Sequence, residues 1–481
     1  MSNKNRPKYP KIAQLKTEEK FRQHLQEINA DLPFSDELES GKTSVFSETI
    51  NLRSGSKIGN RFCILPMEGW DGTADGKPTE HTKRRWKNFA ISGAKLLFGC
   101  EAVAVNTEGR ANPNQLMINE ANFEDFKQLH NMLFVEHKNQ FGNTDDLMVG
   151  LQLTHSGRFC KPYDKHKMEP KILYYHPVLN PKQGLAKDYP ILTDEYIDGL
   201  IQDYVKAAIL AQKAGFHFVD IKHCHGYLGH EFLSSYDRPG KYGGSFENRT
   251  RFLRDIVSGI KAAAPGLQMG IRLSAFDWMP FKSDEDGVGE PAAEGPYKYA
   301  FGGANDGLSE DLNETFKFIK LAQDLGIELI CVSGGSPYYN PHIIRPAIFP
   351  PSDGYLPPED PLLGVARQIH VTAQIKAQFP DMVIIGSSYS YLQEWLPNVA
   401  QSVLSENKAD MVGFGRMVLS YPEMPADIIK GEVLKRNKVC RTFSDCTSGP
   451  RNGLISGCFP LDPYYKEMPE AKVVKDIRSK M

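Results

Sequence analysis

The residues with the clearest capacity for chemistry stand together near the middle of the chain. Lys222, His223, His225 and Tyr227 follow one another directly after an apolar, β-branched run that predicts a strand. An ammonium or an imidazole can bind an anion or a carbonyl oxygen, and a phenol can donate a proton. The segment therefore predicts a binding and proton-transfer site at the end of a strand.

A metal site is the main alternative interpretation of the two histidines. His223 and His225 are separated by one residue, so both imidazoles could lie on one face of a strand end. No carboxylate or further histidine follows at a spacing recognised for zinc sites. The sequence therefore predicts no metal ion at this position.

The length and composition of the chain limit the classes of protein that could carry such a site. The chain has 481 residues, 41% of them hydrophobic and 24% charged, which is ordinary globular composition. Its formal net charge of -2 provides no basic field for nucleic acid or an anionic membrane. Because the chain also lacks a signal-like N-terminus and any apolar run of about 18 residues, we expect a soluble cytoplasmic protein.

The pattern of apolar segments indicates how the chain is organised. Short β-branched runs alternate with amphipathic stretches, which is typical of βα units around a parallel sheet. Eight such units predict a (β/α)8 TIM barrel with its functional residues at the carboxyl ends of the strands. The predicted strands cover 62–65, 95–105, 147–154, 217–222, 268–273, 328–332, 382–385 and 409–414, and the predicted helices include 194–214, 247–263, 312–325, 363–379 and 392–404.

The same pattern predicts one domain with two insertions. Residues 1–45 form a polar N-terminal extension, 46–465 the barrel, and 466–481 a C-terminal tail. The stretches 277–311 and 337–361 are long, irregular loops over the barrel mouth, rich in Gly and acidic residues or in Pro and aromatic residues. No GxGxxG motif lies between a strand and a helix, so we expect no separate dinucleotide-binding domain.

A longer motif around Tyr227 resembles that of a known family. The stretch from His225 to Ile256 reads HGYLGHEFLSSYDRPGKYGGSFENRTRFLRDI. It resembles the signature of the Old Yellow Enzyme superfamily, especially its branch similar to 2,4-dienoyl-CoA reductase. Further matching pieces follow in the order of that family, GLQLTHSGR at 150–158, IRLS at 271–274 and ADMVGFGR at 409–416.

The resemblance implies an FMN bound at the barrel mouth and reduced by NADH or NADPH. Arg272 would lie beside the flavin N1 and O2 edge, where a fixed cation stabilises the reduced flavin. Gln152 would bind the pyrimidine edge, and the phosphate would lie between the loops after strands seven and eight, a common phosphate site in barrels. The implied cofactor-binding residues are Pro66, Met67, Glu68, Ala102, Gln152, Arg272, Gly386, Ser387, Gly415 and Arg416.

The resemblance also implies the catalytic residues of an enzyme that reduces an activated C=C bond of a small unsaturated substrate. Tyr227 would give a proton to the substrate, and His225 would polarise its carbonyl group. The usual partner of this histidine is His or Asn, and Lys222 stands there instead. Its charge predicts an anionic substrate. In the alternative interpretation Lys222 pairs with Glu68 or Asp220 and does not touch the substrate.

Two other functions stay open at the level of the sequence. Glu68 occupies a position near the flavin where a carboxylate disfavours the reduced anion. Together with Tyr338, Tyr339 and Tyr355 it could bind a cation, as the amine-oxidising relatives require. The third interpretation is a catalytically idle barrel that binds a ligand.

The cysteines near the C-terminus raise the question of an iron–sulfur cluster. Relatives of 2,4-dienoyl-CoA reductase bind one through a C-x2-C-x3-C-x11-C run, and Cys446 and Cys458 keep the last spacing. Cys440 is the only other thiol nearby, and Thr442 and Phe443 stand where another ligand is needed. We therefore expect no cluster, and a segment that packs beside the flavin edge instead.

The sequence also suggests where the electrons come from. The chain ends soon after the predicted barrel, without the further FAD and nicotinamide domains of the larger relatives. Electrons would then come from a soluble nicotinamide dinucleotide or from a separate electron-transfer protein. Whether the chain forms a homo-oligomer stays open.

Overall fold

Parallel strands form the centre of the fold. A computed structural model describes residues 6–480, in which nine strand segments belong to one sheet and four more form two antiparallel hairpins. In chain order the strands are β1 (Ile50–Asn51), β2 (Lys57–Ile58), β3 (Phe62–Ile64), β4 (Leu96–Leu97), β5 (Ala102–Ala104), β6 (Met148–Thr154), β7 (Phe218–Ile221), β8 (Gln268–Phe276), β9 (Phe281–Ser283), β10 (Gly289–Pro291), β11 (Leu329–Gly334), β12 (Val383–Gly386) and β13 (Met411–Phe414).

The parallel sheet closes on itself. β3 pairs with β13 on one side and with β4 on the other, and β4 also pairs with β6. From β6 the sheet continues through β7, β8, β11 and β12 back to β13. Since each of these eight strands then has two neighbours and no edge is left open, the predicted (β/α)8 barrel is confirmed.

The second barrel position contains two short strands, so the prediction of one continuous strand over 95–105 is wrong. Gly99 and Cys100 interrupt it with φ values of 121° and 53°, which an extended strand cannot contain. At Gly99 the chain passes so close to β6 that a Cβ atom would lie 3.0 Å from the backbone nitrogen of Gln152. β4 and β5 therefore pair with different parts of β6.

Helices surround the barrel. None in the described part of the chain is long and apolar enough to cross a membrane. The α-helices are α1 (Glu18–Glu27), α2 (Glu80–Ala90), α3 (Phe123–Phe141), α4 (Leu179–Lys182), α5 (Asp194–Ala214), α6 (Leu228–Leu233), α7 (Phe246–Arg249), α8 (Arg251–Ala263), α9 (Asn313–Asp324), α10 (Pro341–Ile344), α11 (Pro361–Gln378), α12 (Leu396–Ser405), α13 (Met424–Lys430), α14 (Asp445–Arg451), α15 (Pro463–Lys466) and α16 (Glu470–Ser479).

The predicted helix over 194–214 is confirmed as α5, because the sequence carries its end signals. The Thr193 side chain accepts a hydrogen bond from the backbone of Tyr196 at the first turn, and Gly215 ends the helix at a φ of 104°. The helices predicted over 312–325 and 363–379 are likewise confirmed as α9 and α11.

Two other helix predictions need correction. The segment 247–263 contains α7 and α8, separated at Thr250, whose hydroxyl donates to the carbonyl oxygen of Phe246 at 2.9 Å. The segment 392–404 is interrupted at Gln393, where φ is 53°, so α12 begins only at Leu396. Both breaks come from side-chain bonding and backbone conformation, which apolar periodicity does not report.

The barrel interior is a separate apolar core. Cys63, Phe98, Phe218 and Cys331 belong to one buried cluster, together with Ile58 of the hairpin formed by β1 and β2. The hairpin covers the end of the barrel at which the strands begin. The open end is therefore the carboxyl end of the strands, where chemistry is expected.

The described part of the predicted N-terminal extension packs against the barrel. α1 buries Phe21, which stacks on Trp395 at 5.3 Å between ring centres, and His24 contacts the buried carboxylate of Asp360 at 2.8 Å. Residues 1–5 of this extension and residue 481 of the predicted tail lie outside the described residues. The domain boundaries at 45 and 465 stay predictions.

The two predicted insertions contact each other at the barrel mouth. Asp277 begins the first and accepts hydrogen bonds from the Tyr339 hydroxyl at 2.6 Å and the Asn340 amide at 2.8 Å in the second. His342 and Tyr355 form a further buried hydrogen bond at 2.7 Å. Burial raises the pKa of the Asp277 carboxyl to about 6. The insertions thus form one connected rim.

Candidate active site

A large cavity opens at the carboxyl ends of the strands. It contains about 1060 Å³ of empty space, solvent at its opening included. Its walls come from the segments that follow β3, β7, β12 and β13, from β8, and from the insertion after β11. Part of α14 and the residues after it form the outer wall. The cavity is therefore built from elements far apart in the sequence.

The structure brings most of the predicted site residues to this cavity. The residues that line it are Pro66, Met67, Glu68, His225, Tyr227, Arg272, Ser387, Gly415 and Arg416. Four others lie behind the lining. Ala102 and Gln152 are paired with each other in the barrel wall, Gly386 ends β12, and Lys222 is 2% exposed beneath Tyr227.

One end of the cavity is strongly cationic. Arg345, after α10, and Arg416, after β13, both line it, and neither has a carboxylate within 4 Å among residues 6–480. One Arg416 nitrogen donates to the carbonyl of Pro346 at 3.0 Å, while its Nη1 is buried without a partner. Burial, together with Arg416, lowers the pKa of Arg345 to about 10. A buried and a partly buried cation without a counter-charge among the described residues form a site for an anion.

Small residues complete this anion site. Ser387, Ser388 and Gly415 line the same end of the cavity, where backbone N–H groups and hydroxyls can meet an anionic oxygen. The prediction of a phosphate site after strands seven and eight named Gly386, Ser387, Gly415 and Arg416 but missed Arg345, and Gly386 does not line the cavity. No motif marks Arg345, which lies in the 337–361 insertion, and only the fold brings it to Arg416.

The cavity also contains Arg272 and His225, each with an unpartnered buried nitrogen. These atoms are Nε of Arg272 and Nε2 of His225. Burial and the nearby charges of Arg272 and Lys222 lower the pKa of His225 well below its ordinary value, so the imidazole is neutral at physiological pH. A guanidinium donates hydrogen bonds, and a neutral imidazole donates one from Nε2 in its Nε2–H tautomer; neither of these two atoms has a protein partner among the described residues.

A buried carboxyl group positions the strand that carries Arg272. Asp220 on β7 accepts a hydrogen bond from the Arg272 backbone at 2.7 Å and another from the Gln152 amide at 2.5 Å. Burial raises the pKa of Asp220 to about 6. The carboxyl group therefore links three neighbouring strands directly beneath the site, and one amide donor of Gln152 is already used.

Tyr227 forms a hydroxyl pair with a residue of the second insertion. Its hydroxyl lies 2.9 Å from that of Tyr338, whose ring stacks on Phe159 at 3.9 Å between centres. Burial and the nearby Glu68 raise the pKa of Tyr227 well above its ordinary value. The phenol therefore stays protonated at neutral pH and can act as an acid.

Lys222 contacts the site from below. Its ammonium lies 4.1 Å from the ring centre of Tyr227 and 3.9 Å from a carboxylate oxygen of Glu68. Glu68 also accepts a hydrogen bond from Gln115 at 3.3 Å. Of the two partners considered for Lys222, the structure pairs it with Glu68 and not with Asp220.

The predicted aromatic site for a cation is not assembled. Tyr339 and Tyr355 bond within the rim, and of the three tyrosines only Tyr338 lines the cavity in the described structure. The Arg451 guanidinium lies 4.3 Å from the ring centre of Tyr338, so a cation of the protein already covers this ring.

The C-terminal cysteines lie next to the cavity. Cys440, Cys446 and Cys458 border one small pocket beside Arg416, and Cys446 also lines the main cavity. In the described range no group of three or more His, Cys, Asp or Glu side chains could hold a metal ion. The absence of an iron–sulfur cluster stays a prediction.

Comparisons with known proteins agree with this geometry. The sequence model of the NADH:flavin oxidoreductase / NADH oxidase family matches residues 47–293. The chain is 28% identical over 369 residues to the NADPH dehydrogenase of Bacillus subtilis, with 76% of this chain and 88% of that protein covered. It is 27% identical over 379 residues to that of Bacillus velezensis, with 78% and 91% covered.

Solved structures share the fold. Morphinone reductase in complex with tetrahydroNAD has a TM-score of 0.55 at 19% identity, with 82% of this chain and 92% of that chain covered. The old yellow enzyme homologue from Zymomonas mobilis has a TM-score of 0.55 at 21% identity, with 83% and 96% covered. A 2-naphthoyl-CoA reductase has a TM-score of 0.63 at 18% identity; the match covers 88% of this chain but only 57% of that longer chain.

The family model matches half of the chain, and the matched residues form part of the closed barrel. The chain belongs to the NADH:flavin oxidoreductase / NADH oxidase family and is an FMN-dependent oxidoreductase that uses NADH or NADPH.

Proposed function

We propose that this protein reduces an activated C=C bond of a small unsaturated substrate with electrons from NADH or NADPH. One observation carries the proposal: a neutral imidazole and a protonated phenol face the same cavity as an unpartnered guanidinium. These are the groups that a carbonyl-activated double bond requires, namely a hydrogen-bond donor for the oxygen and an acid for the carbon.

The cavity fits FMN, because its unsatisfied groups match the charges of that molecule. Arg345, Arg416, Ser387 and Gly415 would hold the phosphate, and the free Nε of Arg272 would meet the electron-rich edge of the ring system. Bound FMN supplies hydride transfer from the nicotinamide to the substrate. The residues of the protein bind and orient the nicotinamide and the substrate.

We assign His225 to the substrate oxygen. Its backbone nitrogen donates to the Ser274 hydroxyl at 3.1 Å, and its carbonyl oxygen accepts from Ser336 at 2.8 Å, so the residue is held in place at a φ of 70°. The neutral ring can donate a proton in a hydrogen bond without carrying a charge. Such a donor stabilises the negative charge that develops on a carbonyl oxygen during reduction.

We assign Tyr227 to proton delivery at the substrate carbon next to the carbonyl. Its high pKa keeps the proton until the carbon becomes basic, and Tyr338 provides a hydroxyl contact through which the proton can be replaced. Lys222 and Glu68 then act as positioning residues, because the ammonium holds the face of the Tyr227 ring and is itself balanced by the carboxylate.

Anaerobic half-reactions with labelled hydrogen test this proposal. NADPH or NADH should bleach the FMN absorbance, and a cyclic enone should restore it with formation of the saturated ketone. Deuterium from the labelled nicotinamide should appear at the β-carbon, and deuterium from heavy water at the α-carbon. Bleaching of the oxidised flavin by amines, together with failure of every enone to restore the colour of the reduced flavin, would contradict C=C reduction.

The partners and the cellular location are proposals of the same kind. The family supports a small-molecule substrate and a nicotinamide dinucleotide. We propose that the dinucleotide is the direct donor and that the protein works in the cytoplasm. A homo-oligomer or a separate electron-transfer protein is an alternative to a monomer that acts alone, and sedimentation and donor screening distinguish these cases.

A further inference from the structure

A second cavity adjoins the candidate active site. It contains about 880 Å³ of empty space, solvent at its opening included, and lies between the loop after β6, α4 and α14. The residues that border both cavities are Trp70, Tyr338, Pro450 and Arg451. The two cavities are therefore neighbours that share one wall.

The second cavity is cationic. Lys161, Lys165, Lys182 and Arg451 line it, against Asp353 as the only carboxylate among its described lining residues. Asp353 is already paired with Arg451.

The three lysines keep most of their charge available. Lys165 donates to the carbonyl oxygen of Gly453 at 3.1 Å, while Lys161 and Lys182 have no carboxylate within 4 Å among residues 6–480. Burial and the nearby Arg451 lower the pKa of Lys161, as expected for an excess of positive charge. The cavity therefore attracts anions.

The floor of this cavity is apolar. Phe159, Met168 and Leu179 line it beneath the cationic side chains, and Phe159 and Leu179 are buried in one cluster with Tyr227. A surface of this kind suits a molecule with an apolar or aromatic body and an anionic end. An apolar body buries against the floor, while a carboxylate or phosphate contacts the ammonium groups.

We infer that this second cavity binds the anionic end of the unsaturated substrate, a carboxylate or phosphate separated from the reacting C=C bond by an apolar segment. The inference rests on the proposed function, since it needs Tyr227 to act on a substrate. The Tyr227 hydroxyl contacts Tyr338, which borders both cavities, so the protonated carbon lies next to the shared wall. The diphosphate of NAD(P)H is also anionic, so the test must distinguish binding of the dinucleotide from binding of the substrate.

The test compares a charged probe with a neutral one of similar shape. One is an α,β-unsaturated ketone with a terminal carboxylate on an alkyl chain, and the other is its methyl ester. They are reduced by the FMN-loaded protein and by the double variant Lys161→Met/Lys182→Met. The matched control is Lys167→Met in the same loop, whose side chain is 71% exposed, pairs with Glu169 and lines neither cavity.

The double variant should raise KM for the carboxylate probe about two- to twentyfold, because two partly exposed ion pairs with the carboxylate are lost together. The value of kcat should stay unchanged. KM for the ester, the Kd of NADPH in flavin reduction and all values for Lys167→Met should stay the same. In the unmodified protein the advantage of the carboxylate over the ester should shrink with added salt.

Two outcomes overturn the inference while leaving the proposed function intact. If the double variant weakens NADPH and not the carboxylate probe, the cavity serves the dinucleotide. If both probes react equally well with every variant, the lysines are only a solvated surface. Failure of the proposed function looks different, because NADPH would then reduce the flavin while neither probe reoxidises it.

Discussion

Substitution of Arg345 by methionine tests the cationic end of the cavity as the phosphate site of FMN. Burial and the neighbouring Arg416 lower the pKa of Arg345, so its charge is unfavourable in the FMN-free protein. A bound phosphate removes this cost and adds a charge-assisted hydrogen bond. Loss of such a bond costs about 1.5–3 kcal/mol, so the Kd of FMN should rise about ten- to two-hundredfold.

The structure also predicts opposite effects on stability with and without FMN. Arg345→Met removes an uncompensated, partly buried cation, so the melting temperature of the FMN-free protein should stay the same or rise. The melting temperature of the FMN-loaded protein should fall, because FMN that binds more weakly stabilises the folded state less. A variant that only damages the fold would lower both values.

Fluorescence titration of FMN into the FMN-free protein measures the Kd, and thermal melts of both forms measure stability. Arg436→Met is the matched control, because its side chain is 59% exposed and pairs with Glu394 outside the cavity. An unchanged Kd in Arg345→Met, with normal binding in the control, would refute the assignment of this end of the cavity to the phosphate.

Three further predictions follow from individual sites. Arg272→Ala should lower the flavin potential and slow flavin reduction by NAD(P)H, because the cation at the ring edge is lost; equal potentials in a redox titration would contradict this placement. Metal and flavin analysis should find about one FMN and no iron per chain, because Cys440, Cys446 and Cys458 offer only three thiolates; about four irons would be incompatible with it. The pKa of Asp277 is raised to about 6 in the folded protein, so its protonation stabilises the fold fully below the unfolded pKa of 3.8, and this stabilisation is lost as the pH rises through 6. Asp277→Asn should therefore reduce the change of the melting temperature between about pH 4 and 6. An unchanged pH dependence would argue against a titrating Asp277.

The sequence predicted the barrel because its strands and helices are specified locally. The helix over 194–214 has a cap at Thr193 and a stop at Gly215 in the sequence itself, so its ends match the structure. The second strand was mispredicted because the conformation at Gly99 depends on the close approach of Gln152, which is distant in the chain.

The candidate site was predictable only in part, and for the same reason. His225, Tyr227 and Arg272 stand in recognisable motifs at strand ends, and the structure places them at one cavity. Arg345 and Arg451 lie outside any motif, in the insertion and in α14, and become site residues only when the fold brings these segments together. Whether a side chain such as Lys222 faces the cavity or lies behind its lining also depends on packing that spacing does not reveal.

Rapid mixing of the Tyr227→Phe variant is the most direct test of the central claim. The variant keeps the groups assigned to FMN, so NADPH should reduce the flavin at a rate close to that of the unmodified protein. Reoxidation by an enone should slow about a hundredfold or more, since the proton donor is missing. Tyr163→Phe, at a residue that is 62% exposed, should behave like the unmodified protein in both half-reactions. Reoxidation of Tyr227→Phe at the unmodified rate would contradict the account.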